Sequence, residues 1–161
     1  MNTEKETFLS YLAQLHLKHK SAENASQYEY NPGKTENLQY YDGIYDSEKK
    51  IATVCIDVKG LRYENRSRNL ESISVGDLLE LRRDPSNQYN SNNFELFTCK
   101  GKSLGSLPAE LCNNLAPLYD EDNAKIIEVK AHYIEQFSDR SRYVKQGVLF
   151  VKLIIKLDGV E

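Results

Sequence analysis

Arginine and tyrosine side chains that could bind nucleic acid occur together where the first predicted strand ends. Arg62 and Tyr63 follow Gly60 there, and Arg66 and Arg68 come a few residues later. A guanidinium group can hold a phosphate through paired hydrogen bonds while a neighbouring ring stacks on a base. Such pairs also occur where their apolar parts only cover the surface of a domain. Arg62 and Tyr63 are therefore either part of a binding site or side chains that only cover the surface of the domain.

A second candidate segment covers residues 81–90. Its composition predicts a strand that runs into a turn-rich loop. The loop offers the ring of Tyr89, several amide groups and two nearby arginines, Arg82 and Arg83. None of its residues is typical of a catalytic nucleophile or of a metal site. These residue types favour binding over catalysis.

The chain lacks the residue patterns of common catalytic and metal sites. It has neither a glycine-rich phosphate loop nor a serine at a strand-to-helix elbow. His16 and His19 are three residues apart on a predicted helix, but no third ligand is close in sequence. His132 falls on the outward side of its predicted strand, where a solvated histidine is expected. We therefore predict no enzymatic activity, no bound metal and no cofactor.

The composition indicates a folded, soluble domain with only local positive charge. The chain has 161 residues, 40% of them hydrophobic and 28% charged, and its net charge is −3. Residues 51–161 carry 15 basic and 16 acidic side chains, so no overall basic field would attract a polyanion. Cys55, Cys99 and Cys112 show no short spacing, which favours buried, reduced thiols over a disulfide or a zinc site.

Neither end of the chain predicts contact with a membrane. The first residues are polar and acidic, unlike a secretory signal. The most apolar segment, residues 148–157, is too short to cross a bilayer and contains Lys152. We therefore expect a cytoplasmic protein.

The spacing of apolar residues predicts an N-terminal amphipathic helix followed by a polar segment. Residues 3–19 carry Phe8, Leu12 and Leu15 at helical spacing, and we expect this face to pack on the domain rather than on a partner. Residues 21–50 are polar but contain five tyrosines, so we expect parts of this segment to dock on the domain surface.

After Lys50 the apolar residues alternate, which predicts strands. The predicted strands lie at residues 51–58, 78–83, 94–99, 127–133 and 149–157, with a short strand before a helix that starts near residue 107. This pattern predicts a mainly β, α+β fold: a small antiparallel β-barrel of about six strands with one inserted helix. The predicted division is a helix and tyrosine-rich linker over residues 1–50 and the barrel over residues 51–161.

Five segments of the second region resemble the HIRAN domain in order and spacing. They are residues 58–63 (VKGLRY), 76–85 (GDLLELRRDP), 87–92 (NQYNSN), 104–108 (LGSLP) and 115–118 (LAPL). The resemblance implies an OB-like barrel of HIRAN type. Such domains are fused to fork-remodelling helicases or stand alone in bacteria, and this chain resembles the free-standing bacterial type. The best understood members capture the 3′ end of single-stranded DNA.

The resemblance also implies roles for individual residues. Arg62 and Tyr63 would hold backbone phosphates, with Asn87 assisting from the loop. Tyr89 would stack on the terminal base, and Asn90 would receive the 3′-hydroxyl.

Two further positions belong to the implied site, and two positions differ from the family pattern. Tyr143 takes the place of a second stacking aromatic. Ser106 stands where helicase-linked members carry a histidine and many bacterial ones an aromatic. Asn90 stands where the family usually has Asp. The changes at Ser106 and Asn90 weaken the expectation of strict 3′-end specificity.

The sequence thus predicts a non-catalytic module that binds single-stranded DNA near a 3′ end through phosphate contacts and base stacking. The expected partners are single-stranded DNA or DNA ends. The chain has no helicase motifs, so a helicase or DNA repair protein acting in trans is a further candidate partner. The alternative is a protein-interaction module, with the N-terminal helix and tyrosine-rich segment as the working surface and the barrel as its scaffold.

Overall fold

A computed structural model describes residues 3–25, 38–61, 63, 66–139 and 144–157. The described helices are α1 (Thr3–Ala25), α2 (Arg66–Asn69) and α3 (Ala109–Asp120), with short 3-10 turns at Leu38–Tyr40 and Leu70–Ser72. The described strands are β1 (Asp42–Asp46), β2 (Ile51–Asp57), β3 (Glu80–Asp84), β4 (Asn93–Phe97), β5 (Ser103–Ser106), β6 (Ala124–Asp139) and β7 (Val144–Leu157).

The strands form two antiparallel sheets. One has the order β1-β2-β7-β6 and the other the order β3-β4-β5. Isolated backbone pairs connect them, Lys59 with Ser106 and Leu78 with Lys130. The predicted mainly β, α+β class is confirmed. Within the described residues, however, the sheets meet at these local pairs and do not close into a continuous barrel, and there are seven strands where about six were expected.

The additional strand is β1, which lies in the segment that the sequence analysis treated as a polar linker. Asp42–Asp46 pairs antiparallel with Ile51–Cys55 of β2. A strand of five residues with a glycine and two aspartates carries too little apolar alternation to be recognised from the sequence. The glycine is needed because α1 packs closely here: a Cβ atom on Gly43 would overlap the backbone of Leu12. The boundary near residue 50 stays a prediction.

Helix α1 is part of the hydrophobic core. Phe8, Tyr11, Leu12 and Leu15 are buried and belong to one cluster with side chains of both sheets and α3. The prediction that this helix packs within the chain is confirmed. Burial, followed by the effect of Glu110, raises the pKa of the Tyr11 hydroxyl above its ordinary value. The helix is longer than the predicted residues 3–19 and continues to Ala25.

Tyrosines of the polar segment dock on the domain, as predicted. The ring of Tyr40 stacks on Tyr133 with 3.9 Å between centroids. Tyr41 meets Phe150 edge-on at 5.0 Å, and the Nζ of Lys18 lies 4.7 Å from the centre of the Tyr41 ring. Tyr28 and Tyr30 lie outside the described residues.

The two histidines of α1 contact the first residue of β1 and the short turn before it. Nδ1 of His16 is 2.9 Å from Oδ1 of Asp42, and Nδ1 of His19 donates to the carbonyl of Gln39 at 3.1 Å. Across the described ranges, no group of three or more His, Cys, Asp or Glu side chains is placed to hold a metal ion. His132 is exposed, as predicted.

The three cysteines are free thiols with different environments. Cys55 and Cys112 are buried, and burial raises the pKa of each thiol to about 11. Cys99 is exposed, so the expected burial is wrong for this residue. The reason is its place in the turn after β4, where its thiol donates to the carbonyl of Leu78 at 2.9 Å. None of the described helices is long and apolar enough to cross a membrane.

Candidate functional site

The loop between β3 and β4 holds an exposed tyrosine on a fixed backbone. Oδ1 of Asn87 accepts hydrogen bonds from the backbone N–H groups of Tyr89 at 2.9 Å and Asn90 at 3.1 Å. Nδ2 of Asn87 donates to Oδ2 of Asp84 at 3.2 Å. An asparagine that bonds to the backbone two residues ahead stabilises a turn. The turn places Tyr89 at the loop surface, where the residue is 88% exposed.

Asn90 anchors the same loop to helix α3. Its Oδ1 accepts from the backbone N–H of Asn92 at 3.0 Å, and its Nδ2 donates to Oδ1 of Asn113 at 3.1 Å. Nδ2 of Asn92 donates to the same Asn113 oxygen at 3.2 Å. The sequence analysis did not identify Asn113, because an exposed asparagine inside a helix pattern carries no signal of a partner 23 residues away.

Ser106 connects this loop region with the segment that leads to Arg62 and Tyr63. Its backbone pairs with Lys59 through two hydrogen bonds of 2.8 and 2.9 Å. Its Oγ accepts from Nδ2 of Asn93 at 3.2 Å, and the same Nδ2 donates to Asp84 at 3.2 Å. Gly105 permits this close approach, because a Cβ atom there would overlap the carbonyl oxygen of Lys59.

Tyr63 lies in a turn a few residues after Lys59. Its backbone N–H donates to the carbonyl of Gly60 at 3.1 Å, and Gly60 has a positive φ of 84° that favours glycine. Nη1 of Arg66 donates to the same carbonyl at 3.2 Å. Tyr63 is 55% exposed. Ser106 is therefore linked through Lys59 to the segment that carries Tyr63, and through Asn93 and Asp84 to the loop that carries Tyr89.

The structure brings most of the described candidate residues into one hydrogen-bonded surface, which we call the Tyr89 surface. It consists of Asn87, Tyr89, Asn90, Asn113 and Ser106, linked through Asp84 and Asn93. Tyr63 lies a few residues after Lys59, whose backbone pairs with Ser106. Arg62 and Tyr143 lie outside the described residues.

Three arginines near this surface form ion pairs with carboxylates, which offset their positive charge. Arg83 donates to both carboxylate oxygens of Asp120 at 3.0 and 2.9 Å, and this hydrogen bonding raises its pKa. Arg82 pairs with Glu80, and Arg66 lies 3.4 Å from a carboxylate oxygen of Glu95. Arg68 is exposed, and Arg140 and Arg142 lie outside the described residues.

A cleft of about 820 Å³ lies where the end of β3 meets the end of α3 and the start of β6. Its lining includes Arg83, Pro85, Tyr119, Asp120 and Lys125. The Arg83–Asp120 ion pair occupies part of its wall. The cleft therefore combines both signs of charge, and Arg83, one of the two arginines noted beside the loop, lines it.

The comparison with protein families identifies the second part of the chain. The model of the HIRAN domain matches residues 51–149, more than half of the chain. The protein belongs to the HIRAN domain family. The matched HIRAN region contains Tyr63, Ser106, Asn113 and the whole β3–β4 loop, whereas α1 and β1 precede it.

Solved structures with a similar fold include other HIRAN domains. The HIRAN domain of human HLTF shares 23% identity with a TM-score of 0.46, over 65% of this chain and 76% of that chain. A Lactobacillus plantarum protein shares 21% with a TM-score of 0.46, over 65% of this chain and 97% of that one. The HLTF HIRAN domain in its DNA-bound conformation shares 22% identity with a TM-score of 0.41, over 66% of this chain and 76% of that chain. No curated protein matches the chain.

Proposed function

We propose that this HIRAN protein binds single-stranded DNA near a 3′ end, through base stacking and phosphate contacts and without catalysis. The main supporting observation is the ring of Tyr89, which is 88% exposed on a loop whose backbone is fixed by Asn87. An aromatic ring held this way can stack on any base, since every base has a π-face. Membership of the HIRAN family supports the same function.

The arrangement suggests a division of labour among the candidate residues. Tyr89 stacks on the base nearest the strand end, and Tyr63 offers a second exposed ring. Both polar atoms of the Asn87 side chain bond within the protein, so this residue acts mainly by holding the loop. The roles proposed for Arg62 as a phosphate ligand and Tyr143 as a second stacking residue depend on the sequence resemblance.

The selectivity for a 3′-hydroxyl over a 3′-phosphate should be modest or absent. Asn90 is neutral, its oxygen already accepts from Asn92, and its amide nitrogen already donates to Asn113. One lone pair and one N–H remain for a ligand. A neutral acceptor binds a hydroxyl more weakly than a carboxylate does, and it does not repel a phosphate.

The cellular setting is also a proposal. The module would act in the cytoplasm, with a helicase or DNA repair protein in trans supplying any remodelling step. The alternative of a protein-interaction module finds less support. The apolar side chains of α1 that it would present, Phe8, Leu12 and Leu15, are buried in the core.

Fluorescence anisotropy with labelled oligonucleotides tests the proposed function. We expect tighter binding to single strands and 3′ overhangs than to blunt duplexes. The logarithm of the affinity should fall linearly with the logarithm of the salt concentration, with a slope of about −0.7 for each neutralised phosphate. Arg62→Ala should flatten that slope by about one phosphate contact. Equal affinity for single strands and blunt duplexes, or no binding at low salt, would contradict the proposal.

A further inference from the structure

The amide orientations next to Tyr89 are fixed by a backbone donor. The N–H of Asn92 can only donate, so the atom of Asn90 that it contacts at 3.0 Å is Oδ1. Nδ2 of Asn90 therefore faces Asn113, and the atom of Asn113 that it contacts at 3.1 Å must be the acceptor Oδ1. Nδ2 of Asn92 donates to this same oxygen. The orientation of the Asn113 amide thus follows from these three hydrogen bonds.

The consequence is an outward-facing donor at Asn113. Its oxygen accepts two bonds from the loop, so its NH₂ group, in the same plane on the other branch of the amide, is directed away from those two donors. Asn113 is exposed, and no acceptor within the described part of the chain contacts this NH₂ group. Two N–H groups are therefore available to a ligand beside the Tyr89 loop.

Ser106 offers a second donor by the same reasoning. Nδ2 of Asn93 donates to its Oγ at 3.2 Å, so the oxygen accepts and its own O–H is left to donate. No acceptor among the described residues contacts this hydroxyl. The nearby carboxylate of Asp84 accepts from both Asn87 and Asn93, so its Oδ2 is engaged within the protein.

We propose that Asn113 is a further DNA-contacting residue, and that its NH₂ group, with the Ser106 hydroxyl, makes the Tyr89 surface accept a strand that ends in a phosphate. This rests on the proposed function, in which the terminal base stacks on Tyr89. A terminal phosphate presents only acceptor oxygens, which match available N–H and O–H donors. A carboxylate in place of either Asn90 or Asn113 would repel the same group.

The test is the ratio of affinities for two oligonucleotides that differ only in a 3′-phosphate or a 3′-hydroxyl. The main variant is Asn113→Asp, which keeps an oxygen that can accept from Asn90 and Asn92 but removes the donor. The matched control is Gln88→Glu, the same amide-to-carboxylate change at an exposed loop position adjacent to Tyr89. Asn113→Ala removes the donor without adding charge.

The wild-type protein should bind the 3′-phosphate strand at least as tightly as the 3′-hydroxyl strand. Asn113→Asp should lower the phosphate-to-hydroxyl ratio about tenfold, as expected for losing a hydrogen bond to a charged acceptor. Asn113→Ala should lower it by a smaller factor, and Gln88→Glu should change both affinities equally.

Two results would overturn the inference, and they have different meanings. If both Asn113 variants leave the ratio unchanged while all proteins bind single strands, Asn113 does not contact the end group and the proposed function stands. If the wild-type protein binds neither strand at low salt, the proposed function fails and the inference fails with it.

Discussion

A single asparagine determines how Tyr89 is presented. Asn87 replaces two missing backbone acceptors by bonding to the N–H groups of Tyr89 and Asn90, and it fixes itself through Asp84. The loop is thereby ordered before any ligand arrives, which reduces the conformational entropy lost on binding. An exposed ring on an ordered loop is a better stacking surface than the same ring on a mobile one.

At Tyr89 we predict that the ring, rather than the hydroxyl, carries the binding energy. Tyr89→Ala should weaken single-stranded DNA binding by about 1–3 kcal/mol whatever the base sequence. Tyr89→Phe should cost much less, because the aromatic face is retained. Anisotropy titrations with homopolymeric oligonucleotides measure both variants. If the Phe variant were as weak as the Ala variant, the contact would depend on the hydroxyl and the stacking role would be wrong.

The residues of this surface differ in how far the sequence alone could identify them. The exposed ring of Tyr89 could be predicted, since Asp, Pro, Ser and Asn around it indicate a turn. Asn113 could not, because its significance comes from contacts with Asn90 and Asn92 across the fold. Arg62 and Tyr143 stay predictions.

At the scale of elements, Arg83 in β3 forms hydrogen bonds to both β4 and α3. Its guanidinium group bonds to Asp120 in α3 and donates to the carbonyls of Ser91 at 2.7 Å and Asn93 at 3.2 Å. It also lies 5.5 Å from the centre of the Phe94 ring. Its side chain is only 15% exposed. The neighbouring Arg82 points to the other face of β3 and pairs with the exposed carboxylate of Glu80.

We predict that Arg83→Ala destabilises the fold by about 1–3 kcal/mol, because it leaves the partly buried carbonyl of Asn93, the carbonyl of Ser91 and Asp120 without their donor. Arg82→Ala is the matched control on the adjacent position. It should change the free energy of unfolding far less, since exposed ion pairs contribute little. Urea unfolding of both variants provides the measurement. Equal destabilisation by the two substitutions would show that Arg83 does not connect the elements as described.

The sequence could not distinguish these two arginines. Both lie at a predicted strand end near an exposed aromatic, and both were candidates for positive charge at a ligand site. Alternation along β3 places them on opposite faces, but the partner of Arg83 is 37 residues away in sequence. Only the packing of α3 against the β3–β4 sheet reveals which arginine is structural.

At the scale of the whole molecule, the HIRAN match covers only part of the structure that surrounds the core. Helix α1 and strand β1 precede residue 51, yet β1 extends the larger sheet and α1 contributes buried side chains. The sequence predicted the α+β class, α1 and most strands, because their apolar residues follow clear periods. It missed β1 and the local joining of the two sheets, since a short polar strand and isolated backbone pairs leave no periodic pattern.

The burial of α1 leads to a prediction for the intact protein. Leu15→Ala should lower the free energy of unfolding by about 2–5 kcal/mol and Phe8→Ala by about 3–5 kcal/mol, as for large side chains removed from a packed core. Leu17→Ala is the control on the same helix, because Leu17 is 64% exposed. Removal of residues 1–20 should destabilise the domain by more than either substitution.

Calorimetry combined with light scattering distinguishes a role of α1 in the core from a role in binding a partner. If α1 served a partner instead, the truncated protein would melt at the unchanged temperature while any oligomer dissociated, and the packing of Phe8, Leu12 and Leu15 against the HIRAN domain would be wrong.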